Sequence, residues 1–246
     1  MNSLYYFLSV GGLLVLLTGC QSVGKDDTET AVIAEAAEKQ QETLDQSYNR
    51  TVLQNPTRSN HFFQQAAVAF QAQKATRATL AIREGLGAWN EEVIPQDKML
   101  QTEKDDMLNT LAQLAQQVEG ERVFEVNRLE AVFSQAELLG ARVQLSNSQT
   151  YLSRQEYEPA RHEGHGALAR MAQAARPLGQ TLDQKARQLM VDVYTLLDKL
   201  PPQPSSFNTN TLDLKMDSVR VFLQGMTEPQ DEVRDVDTSY RAISNQ

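Results

Sequence analysis

Eight prolines punctuate this chain of 246 residues, and their placement limits what it can fold into. They fall at positions 56, 95, 159 and 177, then at 201, 202 and 204, and last at 229. Proline has no backbone N–H and clashes with the carbonyl four residues back, so it is excluded from helix interiors and accepted at helix starts and in connections. The whole chain holds 29 Leu, 26 Gln and 25 Ala against four Ile. Leu, Gln and Ala are good helix formers, whereas β-branched residues such as Ile favour strands. The expected class is all-α, a helical bundle or an irregular helical array.

The apolar spacing divides the chain further. A polar helix is expected over 29–47, with Ala31, Ile33, Ala34 and Ala37 as its modest apolar stripe. Ser59 offers an N-cap for a helix or helix pair reaching Trp89, whose buried face would carry Phe62, Phe63, Ala66, Ala67, Phe70, Ala78, Ile82 and Leu86. Pro95 suits a first helical position ahead of Leu100, Met107, Leu111, Leu114 and Val118, with Gly120 as C-cap. Val126, Leu129, Val132, Phe133, Ala136 and Leu139 mark another helix, running past Gly140 towards Tyr151. Glu158-Pro159 opens the next, which ends before Pro177. Leu178, Leu182, Ala186, Leu189, Val193, Leu196 and Leu200 give an amphipathic stripe over 178–200. Residues 201–208 read as a stiff linker, and 227–246 as a polar, disordered tail. Between them, 209–226 fits either a docked helix, through Leu212, Met216, Val219 and Leu223, or a short hairpin near 211–223.

Composition excludes several functions. A formal net charge of -9 argues against nucleic acid as a partner, because phosphate neutralisation needs clustered Lys and Arg. One cysteine excludes an internal disulfide framework and a cysteine-rich zinc site. Charge alternates along the chain: 25–48 carries -5 and 91–130 carries -6, while 49–90 carries +4 and 140–190 carries +3. Such alternation suits helices that attract one another across a bundle, or equally well solvated faces without mutual contact.

Residues 1–20, MNSLYYFLSVGGLLVLLTGC, contain no charged side chain. The apolar run from Leu4 to Leu17 has the length of a signal-peptide core and is short for a spanning helix. It ends in Leu17-Thr18-Gly19-Cys20, which resembles the lipobox of bacterial lipoproteins. The resemblance implies a signal peptide over 1–19, thioether linkage of Cys20 to diacylglycerol, and a lipidated tether over 20–28. The n-region departs from the usual pattern in lacking Lys and Arg. Each buried methylene contributes ~0.8 kcal/mol, so two or three acyl chains hold a protein where one chain would exchange. Gln21 and Ser22 follow the cysteine with no Asp directly behind it, which by resemblance to the enterobacterial sorting pattern favours the outer membrane.

Motifs for chemistry are scarce. Gly19 to Asp26 nearly spells a phosphate-binding loop, but Asp26 stands where a magnesium-binding hydroxyl belongs and Gly19 leaves with the signal peptide. Glu158, His162 and His165 have helical spacings of four and three and are weak candidates for metal ligands. The plain alternative puts both histidines on the surface near Arg161 and Arg170. None of the 14 serines sits in G-x-S-x-G. Residues 62–89 loosely resemble a tetratricopeptide repeat, with Ala78, Ile82 and Gly85 echoing its second helix, one residue short in the turn and without a clear second copy. No cofactor is expected. The reading that follows is a lipid-anchored, periplasm-facing helical protein that binds or scaffolds an envelope protein partner. The competing reading is an extracytoplasmic enzyme acting on envelope polymers through scattered carboxylates.

Overall fold

The computed structural model describes residues 26–54, 56–120, 125–175, 182–203 and 207–227. Cys20, most of the expected tether and the tail from 228 onward lie outside the described residues. Among those described there are eight α-helices and no strand, so the chain is all-α. Residues 1–40 and 41–246 form two compact units, and of the first only the opening turns of one helix are described.

Helix α1 spans Asp26–Tyr48, so residues 26–28 are helical where a tether was expected. Ala37, expected on its apolar stripe, is exposed, and the side chains of Ala31, Ile33 and Ala34 lie outside those described. A π-helical turn at Asn49–Leu53 follows α1. Helix α2 (Arg58–Gln71) is capped by Thr57 and not by Ser59, the Thr57 hydroxyl accepting from Asn60 N at 3.2 Å. Gln73 turns the chain at φ 56 and donates its N–H to Phe70 O, which closes the end of α2 and admits α3 (Ala75–Glu92). Pro95 lies between helices and not within one. Asp97 supplies the N-cap of α4 (Lys98–Glu119), accepting from Met99 N at 2.7 Å and Leu100 N at 3.2 Å. An aspartate with extended backbone satisfies orphan N–H groups that a proline at N1 would only remove.

Helix α5 (Val126–Ser153) is the longest element, and residues 136–141 are all buried. A helix buried all round belongs at a centre, and this one joins two apolar clusters. Its first half packs with α2, α3 and α4 around Phe63, Ile82, Trp89, Leu111 and Phe133. Phe63 and Phe133 stack with centroids 4.4 Å apart, and Trp89 donates its indole N–H to Ala136 O at 3.0 Å. Of the face expected on α2 and α3, Phe62, Ala67, Phe70 and Leu86 are only half-buried. The second half of α5 packs with the π-helical turn, α6 (Tyr157–Ala175), α7 (Gln184–Asp198) and α8 (Asn210–Thr227).

Pro159 falls in the first turn of α6, where its missing N–H costs nothing. On α7 the buried line is Ala186, Met190, Val193 and Leu197, with Leu182, Leu189 and Leu196 at its margin. Ala186, Val193 and Leu200 of the expected stripe are buried, whereas Met190 and Leu197 take the buried places beside Leu189 and Leu196, and Leu178 lies outside the described residues. The hairpin alternative at 211–223 does not form. Residues 210–227 are helical and bury Leu212, Met216, Val219, Leu223 and Met226 at three- and four-residue spacing. That period matches a helix, and a strand would have turned half of these residues outward.

Ion pairs join the acidic and basic segments across helices: Arg83 with Glu119 at 2.6 Å, Arg142 with Glu103 at 2.7 Å, and Arg187 with Asp45 at 2.6 Å. Partly or largely open to solvent, each contributes about 0.2–1 kcal/mol.

Candidate functional site

A polar layer lies where the two apolar clusters meet. Its centre is Arg170 on α6, with relative exposure 0%. The guanidinium donates to Glu137 Oε2 at 2.6 Å and Ser59 Oγ at 3.2 Å through Nη1. Nη2 donates to Glu92 Oε2 at 2.7 Å, and Nε to Gln144 Oε1 at 3.1 Å. Four of its five N–H groups are thus engaged by side chains from α2, α3 and α5. An unpaired charge in such a place would be prohibitively costly, and shared hydrogen bonds are what permit it. Gly140 on α5 makes the room, since a Cβ there would stand 2.9 Å from Arg170 Cδ.

Beside this layer opens a cleft of about 410 Å³, between the π-helical turn, the end of α3, α5, α6 and α7. Glu92 and Gln144 join the buried layer to the cleft wall. The Gln144 carbonyl faces Arg170, which can only donate, and its NH2 group meets no acceptor among the described residues. Gly166 lets this amide approach, because a Cβ there would stand 2.7 Å from Gln144 Nε2. Across the cleft, the rings of His165 and Tyr194 stack with centroids 3.9 Å apart and planes 6° from parallel. The π-helical turn lines the cleft through Thr51 and Val52, of which Val52 is buried in the core; such turns recur at functional sites.

Burial shifts several groups here. It pushes the Glu137 carboxyl above the usual carboxylate range, and the Arg170 charge and hydrogen bond pull it back. Glu163 is raised by burial as well, with the charge of His162 opposing. His165 is lowered by burial, against the pull of Asp198, whose Oδ1 lies 3.4 Å from Nε2. That nitrogen is buried and makes no hydrogen bond among the described residues. The Tyr194 phenol is raised by burial.

The metal candidates do not converge. Glu158 is exposed and pairs with Arg161 at 2.6 Å. Arg161 also donates to the carbonyls of Leu197 and Leu200, closing the end of α7. His162 is exposed and lines the cleft, while His165 is half-buried on Tyr194. Among the described residues no three His, Cys, Asp or Glu side chains come within reach of one ion. Arg170, expected near the surface, is instead fully buried. Charged residues inside apolar runs, Glu137 among Ala136, Leu138 and Leu139 and Arg170 between Ala169 and Met171, were the signal for this layer. Gly164 and Gly166 inside a helix were the signal for the close approach.

Phe63 and Trp89 belong to the first apolar cluster and Phe70 packs at its margin, while Phe62 is half-buried; none of the four lines the cleft. The α2–α3 pair is a helical hairpin, as the tetratricopeptide resemblance implied, but helix hairpins occur in many arrays. Among the described residues no helix is long and apolar enough to cross a membrane. No protein-family model, curated protein or solved structure matches this chain.

Proposed function

We propose that this chain is a lipid-anchored helical module of the bacterial envelope, held at the periplasmic face of the outer membrane, that binds another envelope component. The observation that carries the reading is Leu17-Thr18-Gly19-Cys20 at the end of an uncharged apolar run, with the chain's one cysteine where polar sequence begins. Acyl chains on Cys20 would hold the helical unit beside the bilayer and raise its effective concentration near a tethered partner. Binding is preferred to hydrolysis on the state of the carboxylates. Glycoside cleavage by paired carboxylates needs both groups to face the scissile bond. Glu92 and Glu137 both face Arg170, and Glu137 is closed to solvent.

Metabolic labelling with radioactive palmitate tests the anchor. Wild type is expected to take up label, and Cys20→Ala to remain an unlabelled precursor. Equal labelling of the two would end the lipoprotein reading. Crosslinking in the native cell followed by mass spectrometry tests the binding role, for which an envelope protein is the expected product.

A further inference from the structure

We infer that the cleft between the π-helical turn, the end of α3, α5, α6 and α7 binds a small ligand that carries a primary ammonium group beside a carbonyl oxygen. The ammonium donates to Glu92 and Thr51, and the carbonyl accepts from Gln144. The inference rests on the geometry of the cleft and does not depend on anchoring through Cys20.

Charge argues first for a cation. One guanidinium, Arg170, stands against two carboxylates, Glu92 at 2.7 Å and Glu137 at 2.6 Å. Of the other titratable groups on the wall, His165 and Tyr194 are both shifted by burial towards their neutral forms. His162 is exposed, and its charge acts on Glu163, a third carboxylate, half-buried on the same helix. Three carboxylates therefore face two cations even with His162 protonated, and the excess is negative. Burial above all, and the charge of Glu92 besides, push the Glu137 carboxyl up. A carboxyl relieves such an excess by taking a proton; a bound cation relieves it with every carboxylate ionised, whereas an anion adds to it.

Hydrogen-bonding capacity selects the cation. Glu92 Oε2 accepts from Arg170 Nη2 and Ser59 Oγ, both at 2.7 Å, while Oε1 has only the Ser59 N–H at 3.3 Å among the described residues. Glu92 lines the cleft with 24% of its side chain exposed, so Oε1 has lone pairs to offer. Thr51, also on the wall, donates its hydroxyl proton to Ser47 O at 2.7 Å and can therefore accept at its oxygen. A primary ammonium has three N–H donors for such acceptors, and a quaternary one has none. Gln144 needs the opposite. It is 6% exposed, and its NH2 meets no acceptor among the described residues. A carbonyl beside the ammonium satisfies this donor, which a bare alkylamine would leave desolvated and unpaired. The volume, about 410 Å³, falls in the range of small-ligand clefts.

The test is titration by saturation-transfer NMR at neutral pH, on the full chain in micelles of a non-ionic detergent. L-alaninamide carries both groups, N-acetyl-L-alaninamide lacks the charge, propylamine lacks the carbonyl, and succinate is the anion. L-alaninamide is expected to bind, propylamine about fivefold more weakly, and the other two at least tenfold more weakly. Glu92→Gln should weaken L-alaninamide about tenfold and Thr51→Val about fivefold, the effects of losing a charged and a neutral hydrogen bond. Thr51 is half-buried and makes no hydrogen bond to the Arg170 layer, so Thr51→Val keeps the test decisive if Glu92→Gln fails to fold. Absence of transfer to L-alaninamide overturns the inference. So does binding of propylamine, N-acetyl-L-alaninamide or succinate as tight as that of L-alaninamide, or L-alaninamide binding unchanged in a folded Thr51→Val.

Discussion

Arg170 shows how much one side chain can decide. Replacing it with methionine leaves Glu137 buried without its partner, and removing one member of a buried pair typically costs about 3–5 kcal/mol. Urea denaturation of Arg170→Met is expected to show a loss of that order. Adding Glu137→Leu should recover much of it, because the uncompensated carboxylate then disappears. No recovery would mean that Arg170 acts through packing and not through charge. His165 gives the pH prediction. Its folded-state pKa is lowered by burial despite Asp198, with Arg161 and His162 adding to the lowering, while the unfolded value is about 6.5. Above that pH both states are neutral. As pH falls below it, the unfolded chain takes the proton first, so stability is lost through the window beneath about 6.5. The urea midpoint of wild type should therefore drop more between about pH 7.5 and about pH 5.5 than that of His165→Asn. Equal slopes would show that the imidazole titrates alike in both states.

Two glycines separate packing from propensity at the level of the helix. Gly164 on α6 faces α7 and α5: a Cβ there would stand 2.6 Å from Leu197 Cδ1 and 3.1 Å from Ser148 Oγ. Leu197 is itself fully buried and has little room to move. Gly164→Ala is expected to destabilise by about 1–3 kcal/mol, the range for overpacking. Gly87 lies inside α3, and a Cβ there meets nothing within 4 Å. Gly87→Ala should stabilise by about 0.5–1 kcal/mol, because alanine loses less backbone entropy in a helix. Paired thermal melts check both, and a matching sign in the two variants would contradict the packing of α6 described above. The same contrast explains what could be read at this scale. Period, prolines and caps marked most helices, yet Thr57 took the cap expected from Ser59, and α4 starts after Asp97 and not at Pro95, which was expected at a first helical position. Several polar residues near a helix start can each cap it, and the neighbouring helices decide where the first turn begins.

At the level of the molecule, α5 is the element both clusters share, and α8 closes the second of them. Deleting 209–246 removes α8 and exposes the faces of α5 and α7 under Leu212, Met216, Val219 and Leu223. That deletion is expected to lower the thermal midpoint strongly, since losing one large buried side chain alone costs about 2–5 kcal/mol. Deleting 228–246 should leave the midpoint nearly unchanged, because those residues hold five acidic and two basic side chains and few large apolar ones. A drop of many degrees on the shorter deletion would show that the tail packs.

The sequence by itself determined the helical class, the order of the helices and, through Leu212, Met216, Val219 and Leu223, the residues by which 209–226 docks. These depend on spacing within one segment, where a period of 3.6 and the backbone chemistry of proline act locally. Only the tertiary structure decided that 209–226 is a helix, that α5 is central, and that Ser59, Glu92, Glu137, Gln144 and Arg170 meet. Ser59 and Arg170 are 111 positions apart, yet their side chains lie 3.2 Å from each other. A contact of that kind depends on how four helices cross, and crossing is set by the side chains that interdigitate, with Gly140 and Gly166 leaving the gaps. Local pattern carries no record of it, because the same charged residue at the same helical spacing can face water or a buried partner, and the neighbouring helix makes the difference.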